Sequence, residues 1–261
     1  MDEVVISKAI TESYTRDLID FMDVDVAIVG AGPSGLTAGY YLAKNGVKSA
    51  LYERRMSTGG GIWGGGMMFS KIVVESEARW IMDEFGVKLA KYQEGYYVAD
   101  AVETAAALSL NCIQTGTRIL NLLTVEDVLI RDNDRVSGLV LNWSAVPMSN
   151  LHIDPLTIKA KLVIDATGHE ANVCCIVARK IGEKLNTRTG GVVGEKSMWA
   201  EVGERELVAN TGEIYPGLMV TGMAVNAALG YPRMGAIFGG MLLSGKKVAD
   251  LAIDMLRQTE G

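Results

Sequence analysis

Residues 24–55 carry the clearest structural signal in the chain and read VDVAIVGAGPSGLTAGYYLAKNGVKSALYERR. The apolar run Val24–Val29 predicts a buried strand, Ser34–Asn45 has the spacing of a helix, and Ser49–Tyr52 predicts a second strand. A helix between two strands is the usual crossover that joins parallel neighbours in a sheet. We therefore predict a βαβ unit over residues 24–54 and an α/β fold with a parallel sheet.

The turn between the first strand and the helix reads Gly30-Ala31-Gly32-Pro33-Ser34-Gly35. In a dinucleotide-binding fingerprint, Gly30 permits the tight turn, Gly32 lets backbone N–H groups approach a pyrophosphate, and Gly35 packs the helix on the strand. Glu53 ends the next strand and can accept hydrogen bonds from ribose hydroxyls. The alternative is a strand–helix turn without a ligand. The acidic residue at the end of the second strand favours a nucleotide.

Composition and charge restrict the classes of partner. The 261 residues carry a net charge of -6, which disfavours the basic surface that nucleic acids and anionic membranes require. The acidic, polar N-terminus is not that of a secretory signal. The apolar stretch Leu218–Leu243 contains Pro232, Arg233 and several glycines, so we expect no membrane span there. Three cysteines without a CxxC pair fit a reducing compartment. We therefore expect a cytoplasmic protein with no nucleic-acid or membrane partner.

The remaining chain shows no linker, and we expect residues 1–261 to form one α/β domain. Alternation around the turn residues Asp132-Asn133-Asp134 predicts an antiparallel hairpin. The expected elements are a helix at Glu75–Phe85, strands at Arg118–Arg131 and Arg135–Trp143 within a meander over residues 118–144, an irregular loop over residues 145–157, and a closing helix over residues 235–257.

Three charged or titratable side chains are further candidates for chemistry. Asp154 and His169 offer a carboxylate and an imidazole, a pair suited to Fe(II) or a similar ion with open positions. The alternative is a turn-forming Asp154 and a helix-capping His169. Arg233 stands in a glycine-rich apolar loop, where its charge is costly without a partner. We expect a ligand carboxylate or phosphate to pair with it, and an internal acidic residue is the alternative partner.

Two segments resemble flavoproteins that have two dinucleotide-binding domains. They are Leu162–Gly168, a strand that ends in Ala-Thr-Gly, and the segment Gly217–Gly222. In those flavoproteins an acidic residue follows the last glycine and binds the ribityl chain of FAD. Met223 stands in its place here, which is evidence against FAD. An FAD-dependent oxidoreductase remains an alternative function.

The motifs taken together resemble the thiamine thiazole synthase family, in its archaeal, sulfide-dependent branch. They are VGAGPSGL, YERR followed by GGGIWGGGMMF, LNWSAV, HIDP, DATGHE, YPGLMVTGMAV and PRMGAIFGGMLLSGKKVA, and they run nearly from end to end. The resemblance implies a Rossmann-like dinucleotide-binding fold with a central parallel sheet, a helical layer and an antiparallel meander. It also implies a homo-octamer in which neighbouring protomers complete each active site.

The resemblance further implies an Fe(II)-dependent reaction of NAD, glycine and sulfide that yields an ADP-linked thiazole carboxylate. NAD is a substrate in this chemistry and loses nicotinamide. A ribose-1,5-bisphosphate isomerase activity, which would make a ketose bisphosphate without NAD, is a further alternative.

Site residues follow from the same resemblance, position by position. Those implied to contact NAD are Gly30, Gly32, Ser34, Glu53, Arg54, Gly61, Val125, His152, Ile153, Asp154 and Met223. His169 and Asp154 are implied to bind the iron, with Asp154 reaching in from the neighbouring protomer, and Arg233 is implied to hold the glycine carboxylate. His152, Asp154 and His169 are the implied catalytic residues. The alternative for His152 is that it only shapes its loop.

The sulfur donor is the last expectation. In the eukaryotic branch of the family, a cysteine in the loop before the Asp-Pro pair donates its own sulfur once per molecule. His152 occupies that position here, and no cysteine lies between Cys112 and Cys174. We therefore predict that sulfur comes from solution and that the enzyme turns over many times.

Overall fold

A computed structural model describes residues 1–259; residues 260 and 261, the end of the expected single domain, lie outside the described part. The helices are α1 (Glu3–Asp20), α2 (Pro33–Lys44), α3 (Arg79–Glu84), α4 (Ala101–Thr115), α5 (Ala145–Met148), α6 (Asn172–Ile181), α7 (Ala200–Asn210), α8 (Met223–Leu229) and α9 (Gly239–Thr259). The strands are β1 (Asp23–Val29), β2 (Ser49–Glu53), β3 (Lys71–Glu75), β4 (Leu89–Gln93), β5 (Tyr96–Asp100), β6 (Arg118–Asn121), β7 (Leu123–Arg131), β8 (Arg135–Trp143), β9 (Leu156–Asp165), β10 (Gly212–Tyr215) and β11 (Leu218–Val220).

The central sheet is built around β1. Its main strand order is β10-β11-β9-β1-β2-β6, with β7 and β8 joined to it through β9. The pairs β1–β2, β1–β9, β9–β11 and β2–β6 are all parallel, whereas β10 and the β7–β8 pair are antiparallel to their neighbours. The predicted Rossmann-like fold, with its parallel sheet and antiparallel meander, is confirmed.

Both faces of β1 are buried, as expected for a strand inside a parallel sheet. Val26 and Ile28 join one apolar core, which also contains residues of α2, α4 and α9. Ala27 and Val29 point to the other face and join a second core with α6, α8 and the β7–β8 pair. This alternation along one strand separates a helical layer from a layer that includes the meander.

The meander begins later than predicted. The expected strand Arg118–Arg131 is interrupted at Leu122, whose backbone has a φ of 60°. As a result β6 runs parallel to β2 in the central sheet, and only β7 turns back against β8. A bulky residue with a positive φ gives no signal in an alternating apolar pattern, so the sequence did not reveal the break.

The predicted helix Glu75–Phe85 is largely confirmed, but its first residue ends a strand, and the single 3-10 turn Ser76–Ala78 precedes the α-helix. Lys71–Glu75 forms β3, which pairs with β5 in a second, three-stranded sheet of order β3-β5-β4. The helix α3 begins only at Arg79. Ile72 and Val74 point into the core while their neighbours are more exposed, which is the two-residue period of a strand.

The closing helix begins at Gly239 instead of Gly235. The residues before it are extended, because Ile237 forms an isolated bridge with Val73 and the N–H of Phe238 donates to the carbonyl of Val73 at 2.9 Å. The predicted irregular loop over residues 145–157 contains the short helix α5 at its start. Within residues 1–259, no helix is long and apolar enough to cross a membrane.

Candidate functional site

A cavity of about 660 Å³ opens at the carboxyl edge of the parallel sheet. Its walls include the residues that follow β1, β2 and β9, and it extends to the segment that precedes α9. Ligands of open α/β sheets bind in the crevice outside the carboxyl ends of the strands. The volume falls within the range of about 300–1,000 Å³ typical of small-molecule sites.

Most residues proposed from the sequence line this cavity. Those at the cavity are Gly30, Gly32, Ser34, Glu53, Arg54, Gly61, Val125, His169, Met223 and Arg233. They come from seven separate parts of the chain in sequence, and the sheet topology brings them together. His152, Ile153 and Asp154 are not among the lining residues.

The fingerprint turn leaves an open approach to the start of α2. Gly30 has a φ of 102°, and a Cβ there would lie 2.5 Å from the carbonyl oxygen of Ala166. A Cβ at Gly35 would lie 2.0 Å from the oxygen of Gly30, so the helix packs directly on the turn. At Gly32, in contrast, a Cβ would meet nothing within 4 Å. The N-terminus of α2 is therefore accessible to an anionic group from the cavity.

Glu53 ties the two halves of the fingerprint together. Its carboxylate accepts hydrogen bonds from the N–H groups of Ala31 and Arg55, each at 2.8 Å, and its side chain is only 7% exposed. Each carboxylate oxygen can accept a further hydrogen bond. Glu53 thus fixes the turn and still borders the cavity.

Arg54 is held by a neighbour that the sequence did not identify. Its Nη1 and Nη2 atoms donate to the two carboxylate oxygens of Glu170, each at 2.8 Å. The hydrogen bonds from Arg54 lower the pKa of Glu170, although its burial opposes this. Both residues line the cavity, and the two parallel hydrogen bonds hold Arg54 against the turn that follows β9.

The glycine-rich segment covers the fingerprint. The N–H of Gly59 donates to the carbonyl of Ala31 at 2.7 Å, and a Cβ at Gly60 would lie 3.1 Å from the Cα of Gly32. Gly61 has open space around its Cα and lines the cavity. The segment therefore places backbone without side chains along the cavity wall.

His169 and Arg233 lie on the cavity walls in different loops. The Nδ1 atom of His169 is 2.6 Å from the Oε1 atom of Glu195. Arg233 follows a buried proline, and no ion pair with an acidic side chain is found for it among the described residues. The internal partner considered from the sequence is therefore absent from that part of the chain, and the guanidinium is available to a ligand.

The loop over residues 145–157 contributes no residue to the lining of this cavity. His152 and Asp154 are exposed, and Ile153 is 51% exposed with its carbonyl accepting from Asn142 Nδ2 at 3.1 Å. Within residues 1–259 no three His, Cys, Asp or Glu side chains are grouped to hold a metal ion. Within one chain, His169 lines the cavity and Asp154 does not.

The apolar part of the cavity wall and the roles of Glu170 and Glu195 were not predicted from the sequence. Met67, Met198, Met241 and Phe238 line the cavity beside Met223. Glu170 follows His169 directly, and that adjacency was the available signal. Glu195 lies 26 positions from His169 in a polar stretch without periodicity, so only the fold reveals their contact.

Comparisons with known proteins agree along the whole chain. The model of the Thi4 family matches residues 7–238. The thiamine thiazole synthase of Methanothermobacter thermautotrophicus is 58% identical over 98% of this chain and 99% of its own length. That of Pyrococcus furiosus is 54% identical, with 95% and 96% covered. The crystal structure of Thermovibrio ammonificans THI4 covers 99% of this chain and 100% of its own, with a TM-score of 0.97 and 51% identity. The chain belongs to the Thi4 family.

Proposed function

We propose that the chain is a thiamine thiazole synthase that converts NAD, glycine and sulfide into an ADP-linked thiazole carboxylate. NAD loses nicotinamide, the ADP-ribose isomerises to a ketose, glycine condenses as an imine, and sulfur addition with loss of water closes the ring. One observation carries the proposal: a single cavity is lined by the dinucleotide fingerprint, by His169 and by Arg233. The relatives named above support the thiazole product.

The ADP part of NAD would lie along the fingerprint. The accessible N-terminus of α2 suits the pyrophosphate, and Glu53 has acceptor capacity left for the ribose hydroxyls. The glycine-rich segment over residues 59–66 allows the dinucleotide to lie close to the backbone.

Arg233 would hold the carboxylate of glycine. Its guanidinium borders the cavity without an acidic partner in the described chain, and its planar fork matches a carboxylate. The methionines and Phe238 on the same wall form an apolar surface near this end of the site. Such a surface limits water around the condensation steps, which release water.

The donor set fits Fe(II) only when two copies share it. His169 of one chain and Asp154 of another would bind the metal, since imidazole and carboxylate suit a non-heme iron centre with open positions. When bound, the iron supplies a Lewis-acidic centre for small nucleophiles. The exposed position of Asp154, outside the cavity of its own chain, supports this sharing between copies.

The cysteines support an external sulfur source. Cys112 and Cys174 are fully buried, and none of the three cysteines is among the lining residues of the cavity. Burial raises the pKa of Cys112 to about 12 and raises the pKa of Cys175 as well, which disfavours a reactive thiolate. Sulfide from solution then permits many turnovers.

The test is an anaerobic incubation with NAD, glycine, sulfide and Fe(II), followed by mass spectrometry of the small molecules. The proposal predicts release of nicotinamide and a new ADP-linked thiazole that needs all four components. Flavin absorbance in the purified protein, or conversion of a ribose bisphosphate without NAD, would favour the alternatives instead.

A further inference from the structure

The contact between His169 and Glu195 orients the imidazole ring at the cavity wall. The distance from Nδ1 to Oε1 is 2.6 Å, and the side chain of Glu195 is only 17% exposed. A carboxylate oxygen accepts hydrogen bonds, so this contact matches the tautomer in which Nδ1 carries the hydrogen and donates. In the neutral ring this leaves the lone pair on Nε2, the atom that a metal would need.

Glu195 is the acidic residue that is available for this task. Glu170 adjoins His169 in sequence, but both of its oxygens accept from Arg54. Glu195 reaches His169 from a segment 26 positions away, so its contact is a property of the fold and not of local sequence.

The segment over residues 193–199 holds Glu195 from both sides. On one side the N–H groups of Val193 and Gly194 donate to carbonyls of α8 at 3.0 and 2.9 Å. On the other side the N–H of Lys196 donates to the carbonyl of Tyr231 at 3.0 Å. The backbone on each side of Glu195 is therefore anchored, which limits how far its carboxylate can move.

The same segment also contacts Arg233, the second charged residue proposed for the site. The N–H of Arg233 donates to the carbonyl of Lys196 at 3.2 Å, and the N–H of Trp199 donates to the carbonyl of Arg233 at 2.9 Å. Within this one segment, the side chain of Glu195 contacts His169, and the backbone of Lys196 and Trp199 holds Arg233. Residues 193–199 therefore contact both His169 and Arg233.

We propose that Glu195 is a positioning residue, whose carboxylate fixes the tautomer and orientation of His169 for metal binding. The proposal rests on the proposed function, in which His169 is a metal ligand. Loss of a carboxylate that holds the second nitrogen of a ligating histidine typically weakens metal binding by about 10–100-fold.

The experiment measures binding of Co(II), used as a probe for Fe(II), to the metal-stripped oligomer by anaerobic titration. Glu195→Ala is expected to weaken binding by about 10–100-fold. Glu195→Gln keeps the shape but removes the charge, and is expected to bind Co(II) more weakly than the wild type and more tightly than the Ala variant. Glu201→Gln, an exposed position on α7, makes the same charge change and is expected to match the wild type.

Two further readouts separate positioning from general damage. NAD affinity and the melting temperature of the metal-free Gln variant should match the wild type, and the KM for glycine should stay near its value because Arg233 is held through the backbone. Unchanged Co(II) affinity in the Gln variant would overturn the inference while leaving the proposed function intact. A wild-type protein that forms no thiazole and binds no metal at His169 would overturn both.

Discussion

Glu53 has two roles: it stabilises the fingerprint turn, and it is proposed to bind the ribose of the ligand. Its two oxygens accept the N–H groups of Ala31 and Arg55, so an amide in its place would turn one N–H₂ group toward a backbone donor. We predict that Glu53→Gln lowers the free energy of unfolding by about 1–3 kcal/mol, the cost of a buried donor left unpaired. Denaturant unfolding without ligand measures this.

The same variant should bind NAD more weakly, by about 1–3 kcal/mol in calorimetric titration, because an acceptor for the ribose hydroxyls is lost. Glu12→Gln on the exposed face of α1 is the control and should change neither quantity. NAD affinity equal to wild type in a folded Glu53→Gln protein would contradict the proposed nucleotide path.

Arg233 should distinguish glycine from NAD. An ammonium group cannot reproduce the two parallel hydrogen bonds of a guanidinium to a carboxylate. Arg233→Lys is therefore expected to raise the KM for glycine more than the KM for NAD, in steady-state assays that vary each substrate. Arg188→Lys, at an exposed position in the loop after α6, should leave both values unchanged. Equal increases in both would instead indicate that Arg233 contacts the pyrophosphate.

Among the secondary-structure elements, the acidic residues Glu75 and Glu204 link β3, α7 and α9. Glu75 ends β3, Glu204 lies on α7, and the N–H of Gly240 in the first turn of α9 donates to Glu204. Glu75 Oε2 and Glu204 Oε1 are buried and have no protein donor among the described residues. Burial, followed by repulsion from Glu75, raises the pKa of Glu204 to about 9. Burial raises the pKa of Glu75 as well, so the pair retains a proton near neutral pH that the two carboxyl groups can share.

This pair makes stability depend on pH. The folded state keeps the proton that the unfolded chain releases near pH 4.5, so the contribution of Glu204 is full below that value and is lost as pH rises through about 9. The slope is at most about 1.4 kcal/mol per pH unit. Glu204→Gln is neutral at every pH and is predicted to gain stability relative to wild type as pH rises from 5 to about 9.

Urea unfolding at several pH values across that range measures the difference between the two proteins. Glu201→Gln on the same helix is the matched control and should show a constant difference from wild type. A constant difference for Glu204→Gln as well would mean that the acid is ionised in the folded state.

The elements that the sequence predicted well are those whose burial is uniform. β1 is buried on both faces and β8 is buried at most of its positions, and both were found at or near their predicted bounds. Three features escaped because tertiary contacts decide them. They are the break at Leu122, the pairing of β3 with β5, and the extended residues before α9 that bridge to Val73.

At the scale of the molecule, the predicted site divides into two groups. The residues around the fingerprint follow from local spacing, and the sheet brings His169 and Arg233 to the same cavity. The position of Asp154 relative to the cavity could not be predicted in this way. Its loop is exposed, and the described residues contain no group of side chains that could hold a metal ion together with it. Glu195 required a contact between distant segments, for which a single sequence holds no signal.

The proposed sharing of the site between copies has a direct consequence for mixed oligomers. Asp154→Ala and His169→Ala proteins should each be inactive in thiazole formation and retain NAD binding. A mixed oligomer should recover part of the wild-type activity, because some sites combine an intact Asp154 from one copy with an intact His169 from another. Activity is measured after subunit exchange has been verified by native mass spectrometry. No recovery in verified mixed oligomers would argue for a site within one chain.

In the proposed reaction, sulfur enters from solution and the enzyme is not consumed. The most direct measurement uses a variant in which Cys112, Cys174 and Cys175 are all replaced by Ala or Ser, incubated anaerobically with NAD, glycine, Fe(II) and isotopically heavy sulfide. Once the variant is shown to be folded and to bind NAD, the account predicts several equivalents of heavy-sulfur thiazole per subunit. Loss of product in that protein, or wild-type product that stops at one equivalent per subunit with light sulfur, would contradict it.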